Sequence, residues 1–219
     1  MKRKDKYGLS EFLKKNPFMS ISPSRGTDLI IRGKLFFRAN IKNGPEISDR
    51  YQLEIRITDI FPKELPEVKE IDLKIPRDGN FHVNPDGTLC LGSHLRLLSK
   101  LHNRPSLTGF TEDCLVPYLY AVTYKLWYGG KFIFNELDHG NKGVLDDYKD
   151  LFHLETSVQV IYSLKLLGKK KRLANKKLCP CGCGQRLGVC PFHNRLNKFR
   201  QIAPRAWYKS YAQRFDNIK

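Results

Sequence analysis

A lone cysteine sits in the segment Phe81-His82-Val83-Asn84-Pro85-Asp86-Gly87-Thr88-Leu89-Cys90-Leu91, three residues past a turn glycine and downstream of a histidine and an asparagine. A thiol is a nucleophile, and an asparagine amide donates to a developing oxyanion, so these residue types suit acyl transfer. A second group lies near the C-terminus: Cys179, Cys181, Cys183, Cys190 and His193 fall within fifteen residues. Interspersed glycines permit tight turns that converge soft ligands, and zinc takes four such ligands tetrahedrally. Five candidates therefore compete for four places. With all four filled by protein, the site is structural, because hydrolytic zinc needs an open position.

The elements around the first cysteine must hold it at a surface. Residues 9–15 have the pattern of a short amphipathic helix, with Ser10 as its cap. Residues 28–39 are β-branched and aromatic, Asn43-Gly44-Pro45 is a turn, and residues 51–57 alternate apolar and polar. Residues 68–75 alternate again through Val68, Ile71, Leu73 and Ile75, giving three strands in an antiparallel meander. Helices are expected at 111–126, ended by Gly129-Gly130, and at 155–167 with Val158 and Ile161 inward and Val160, Leu164 and Leu167 as further inward candidates. Strands first and helices later predict an α+β domain, with helices on one face of the sheet. Cys114, beside Leu115, is expected to be a core residue.

Charge divides the chain. Residues 169–219 hold fourteen lysines and arginines against one acid, Asp216, so +13 of the net +17 falls there. That argues for two domains, 1–168 and a basic module over 169–219, the latter suited to phosphates or an acidic protein surface. No apolar run is long enough to span a bilayer and no secretory pattern opens the chain, so a cytoplasmic protein with reduced thiols and no membrane association is expected.

Between the second and third strands, Ile60-Phe61-Pro62-Lys63-Glu64-Leu65-Pro66-Glu67-Val68 carries two prolines that forbid regular ladder bonding. A short N-terminal helix, a meander, this crossover, His-x-Asn and then Gly87-Thr88-Leu89-Cys90-Leu91 together resemble the ubiquitin-conjugating enzymes, and in particular their bacterial relatives in anti-phage defence clusters. The likeness covers roughly residues 8–165. It implies that Cys90 carries a ubiquitin-like protein or other acyl group as a thioester, that Asn84 supports the oxyanion, and that His82 is the structural histidine of the catalytic set. It departs from the family at Val83, where a proline is usual, and in a loop two residues shorter. Geometry adds a condition. In a regular hairpin Gly87 would pair with Asn84 and Cys90 with Phe81, leaving Asn84 about 10 Å from the sulfur. The oxyanion role therefore requires the chain to leave the ladder soon after Gly87, which is expected; a continuous hairpin would make Asn84 structural and Asn80 the better donor.

The tail motif resembles the SEC-C zinc motif, which implies a structural zinc held by Cys179, Cys181, Cys190 and His193, with Cys183 able to replace one of them. The resemblances together imply a transferase that passes its acyl group to a protein target, for example a nucleotidyltransferase of a cyclic-oligonucleotide defence system (CBASS). The alternative is an inactive conjugating-like binding module whose zinc tail contacts nucleic acid or protein. A final helix is expected after Pro204, with Trp207, Tyr211 and Phe215 on an inward stripe and Arg205, Lys209 and Arg214 outside it.

Overall fold

The computed structural model describes residues 5–24, 26–41, 44–77, 79–130, 132–133 and 140–216. Asn43 of the expected turn lies outside them, as do Glu136, Asp138 and His139, which the sequence gathers in a glycine-bearing stretch expected to be a capped connection between helices. The chain forms two compact units, Met1–Glu136 and Leu137–Lys219.

Unit 1 is α+β. Helix α1 (Leu9–Lys15) precedes strands β1 (Met19–Ser22), β2 (Leu29–Ala39), β3 (Ile47–Ile57) and β4 (Glu67–Glu70), which form one antiparallel sheet in sequence order. Strands β2 and β3 pair from Leu29↔Ile57 to Ala39↔Ile47, so their odd-numbered residues share a face. On that face Ile31, Leu35, Tyr51, Leu53, Ile55 and Ile57 are buried, while Arg32, Lys34, Arg38, Arg50 and Arg56 point the other way. Each fully buried branched side chain contributes about 1.5–3 kcal/mol. The short edge strand β1 reaches β2 where Gly33 sits: a Cβ there would lie 2.0 Å from the Phe18 carbonyl oxygen. Ser10 is not the cap of α1; its amide donates to Asp5, and Gly8 occupies the cap position.

Strand β4 is shorter than its alternation suggests. Ile71 and Leu73 are exposed, and Glu70 is buried instead. Its carboxylate accepts from the amides of Asp72 (2.9 Å), Lys74 (3.1 Å) and Ile75 (3.5 Å), folding the chain into a loop where a strand would have continued. Helix α2 (His94–Asn103) follows Cys90. Next comes a continuous helical run: α3 (Leu107–Phe110), a π-helical turn (Thr111–Leu115) and α4 (Val116–Tyr128). The run starts at Ser106, whose hydroxyl accepts from the Gly109 amide, rather than at Thr111. Pro117 explains the widened turn: it has no N–H to donate and crowds the preceding carbonyls, and Val116 donates back to Thr111 instead. Leu115, Leu119 and Val122 bury against the sheet, and Gly129 ends α4 at φ 72°.

Unit 2 is helical: α5 (Asn141–Phe152), α6 (Ser157–Leu167), α7 (Lys171–Ala174), α8 (Phe192–Ile202) and α9 (Arg205–Gln213). Thr156 and Gln159 form a capping box at the start of α6. Val158 is 73 % exposed, so the buried stripe of α6 is Val160, Leu164 and Leu167. The division of the chain precedes the expected boundary at 168 for a physical reason. Phe152 of α5 packs edge-on against Phe199 of α8 (4.6 Å), and Tyr148 lies beside Tyr211 of α9 (6.0 Å). Helices α5 and α6 thus bury their apolar faces against the basic tail. Tyr211 and Phe215 point inward as expected, joined by Tyr208.

Candidate functional site

Cys90 ends a small hairpin. The Asn84 amide donates to the Thr88 carbonyl (2.8 Å), Val83 bridges Leu89, and the Cys90 amide donates to the His82 carbonyl (2.8 Å). The loop between is Pro85-Asp86-Gly87, closed by Gly87 N–H to Asn84 O (2.8 Å), with Gly87 at φ 82°. A type I turn followed by a left-handed glycine is a standard three-residue hairpin connection. The extra loop residue shifts the register by one, so Cys90 faces His82, not Phe81. The chain therefore does not leave the ladder after Gly87, contrary to expectation.

That register places Asn84 two residues, about 7 Å, along the strand from the position opposite the sulfur. Its amide is also committed: Asn84 Nδ2 donates to Thr88 Oγ1 (2.9 Å), which donates to Asp86 Oδ1 (2.6 Å). The Thr88 hydroxyl and amide hold the Asp86 carboxyl below the ordinary aspartate range. Asn84 is thus part of the turn. His82 takes a left-handed backbone, φ 53°, and sets its ring edge-on to Phe132 (4.9 Å). Asn80 is exposed, and Lys125 Nζ donates to its carbonyl (2.9 Å).

The hairpin is braced on both sides. Arg77 donates to the Gly87 carbonyl (3.1 Å) and to the Glu70 carbonyl (2.6 Å), tying the turn to the end of β4. Tyr118 of α4 donates its hydroxyl to the Phe81 carbonyl (2.7 Å). Burial, and more weakly the nearby Cys90, push the Tyr118 phenol up, so it stays a neutral donor. Cys90 itself is exposed and free. Cys114 contrasts with it: buried in the π-helical turn, its thiol is pushed up to about 11 by desolvation, and it is a packing residue.

In unit 2 the cysteines converge. A short hairpin, with Cys179 N–H to Gln185 O (2.8 Å) and Leu187 N–H to Lys177 O (2.8 Å), carries Cys179, Cys181 and Cys183 on a knuckle. Gly182 (φ 83°) and Gly184 (φ 74°) supply its left-handed turns. Cys190 comes from the turn just before α8. The four sulfurs lie within 4.8 Å of one another, with 3.2 Å between Cys179 and Cys181 and 3.6 Å between Cys181 and Cys190. Tetrahedral thiolates about 2.3 Å from one ion would stand roughly 3.8 Å apart, so the cluster can hold a metal ion. The group of four close ligand atoms includes Cys183 and does not include His193, which lies in the first turn of α8, where its Nδ1–H donates to the Cys190 carbonyl (2.8 Å). Burial first, and the crowding of neighbouring thiols, push the Cys179 thiol far above the free-cysteine range. A cation is what would make four clustered thiolates stable.

No helix among the described residues is long and apolar enough to cross a membrane. A scan against protein-family models, a search of curated proteins and a search of solved structures each return no match.

Proposed function

We propose that the chain is a ubiquitin-conjugating-like acyl carrier, with Cys90 as its nucleophile. The observation that carries this reading is an exposed, free thiol at the end of a braced hairpin, directly after a four-stranded meander and directly before a helix. The thiol attacks an activated acyl carbonyl, displaces the donor's leaving group and forms a thioester; an amine of a target then attacks that carbonyl and regenerates the thiol. Asn84 is occupied in the turn, so the amide donor passes to Asn80, while His82 and Tyr118 keep positioning roles. The carrier acts on a ubiquitin-like or comparable modifier in anti-phage defence, with a protein such as a nucleotidyltransferase as target. The metal of unit 2 is zinc, bound by Cys179, Cys181, Cys183 and Cys190 in a structural role.

The test uses the full chain incubated with lysate of its source cell. A covalent protein adduct that a reducing thiol releases, that is lost in Cys90→Ala and that becomes resistant to thiol in Cys90→Ser supports a thioester. A Cys90 that resists alkylation at neutral pH and forms no such adduct would instead favour a binding module.

A further inference from the structure

We propose that unit 2 contains a phosphate-binding pocket between the end of α6 and the α8–α9 turn. A cavity of about 380 Å³ is lined there by Leu167, Lys170, Lys171, Arg200, Ala203 and Arg205. Four of the six are cations and none is acidic. Among the described residues, no ion pair engages any of the four, and the acid nearest in sequence, Asp216, is held by Lys165 (2.9 Å). The pocket is preformed. Arg200 donates to the carbonyls of Leu166 (2.9 Å), Leu167 (3.1 Å) and Lys169 (3.0 Å), which fixes its guanidinium at the end of α6. Those three bonds use three of its five N–H groups and leave two for a ligand. Backbone carbonyls meet its charge; burial first, and Arg205, disfavour that charge, with Tyr208 acting the other way.

Arg205 is the first residue of α9, where the helix dipole is already positive. Pro204, at the cap position, offers no side-chain oxygen, and the first turn has no acidic residue. Cations normally avoid that end of a helix, so the arrangement is electrostatically unfavourable until an anion occupies it. The size suits a di- or triphosphate group, and the apolar floor of Leu167 and Ala203 suits an attached sugar or base. The ligand class is therefore a phosphate-bearing nucleotide, either free or as the end of a single-stranded nucleic acid. This inference is independent of the chemistry at Cys90.

Binding of pyrophosphate, ATP and a short labelled single-stranded oligonucleotide is measured on the full, metal-loaded chain. Arg205→Glu with Lys170→Glu is expected to weaken pyrophosphate and ATP by at least tenfold, on the order of one lost charged hydrogen bond or more. Lys198→Glu with Lys176→Glu, an equal charge change at exposed sites outside the pocket, is expected to change affinity less than twofold. Lys171→Gln, a milder change, is expected to weaken binding severalfold with metal content and melting unaltered. Pyrophosphate should compete with whichever larger ligand binds. Tighter ATP identifies a free nucleotide; a tighter oligonucleotide with a steep salt dependence identifies nucleic acid. Equal losses in the two double variants, binding of ATP or oligonucleotide that survives saturating pyrophosphate, or no binding by all three probes would overturn the proposal.

Discussion

Replacing Cys183 by alanine, and separately His193 by alanine, decides which residue completes the proposed zinc site. A structural zinc bound by four ligands contributes about 10–16 kcal/mol, or roughly 3 kcal/mol per ligand. Losing the Cys183 sulfur, which lies within 4.8 Å of the other three, should weaken zinc by about a hundredfold or more. His193 contributes one hydrogen bond to the Cys190 carbonyl, worth about 1 kcal/mol, so His193→Ala should cost about fivefold. Competition with a chelator of known affinity measures both. Cobalt(II) substitution adds a direct count of sulfurs: the sulfur-to-metal charge-transfer intensity should fall by about a quarter in Cys183→Ala and stay unchanged in His193→Ala. The opposite pattern, with full affinity kept in Cys183→Ala and lost in His193→Ala, would refute the four-sulfur assignment.

Other outcomes follow from the same geometry. Thr123→Val should destabilise unit 1 by about 1–3 kcal/mol in denaturant titration, because the buried Tyr51 hydroxyl loses its 2.7 Å partner. Gly33→Ala should cost on the order of 2–4 kcal/mol or prevent folding, read from expression and melting, since the added carbon meets the Phe18 carbonyl. Burial alone would raise the Asp49 carboxyl, but Lys74 (2.6 Å), the Arg50 amide and Thr123 together hold it below its ordinary 3.8. Its folded pKa is depressed, so its contribution is complete above 3.8 and disappears as pH falls through that value and below. Asp49→Asn should accordingly flatten the acid limb of the stability profile while lowering the neutral plateau. Asn84→Ala should lower stability by about 1 kcal/mol and leave Cys90 alkylation unchanged, whereas Asn80→Ala should slow acyl transfer by about a hundredfold.

The meander was legible because β2 is rich in β-branched and aromatic residues and the second half of β3 alternates apolar and polar. The edge strand at Met19–Ser22 was not, since four residues with one buried position show no period. Alternation through Ile71 and Leu73 misled for a tertiary reason: a buried carboxylate, Glu70, draws three amides to itself and turns the chain. Helix α2 follows Ser93 with Leu95, Leu97, Leu98 and Leu101 buried, an apolar stripe present in the sequence as an amphipathic pattern. Helix α5 hid in a run of carboxylates. In the cysteine cluster, spacing offered five candidates for four places, and the closeness of Cys183 rather than His193 to the other three depended on where α8 begins, which no spacing rule contains. The register at Cys90 turned on a single glycine whose left-handed backbone adds one loop residue.

That added residue acts as a parity setting for the reactive sulfur. Neighbouring residues on a strand look to opposite sides, so an insertion or deletion between Asn84 and Thr88 that slipped the Val83–Leu89 pairing by one residue would swing Cys90 from open water toward the apolar interior. A change of two would return it outward but slide it past His82 and away from the Tyr118 anchor. The length of this connection should therefore tolerate far less variation than an ordinary surface loop, even though its side chains are exposed.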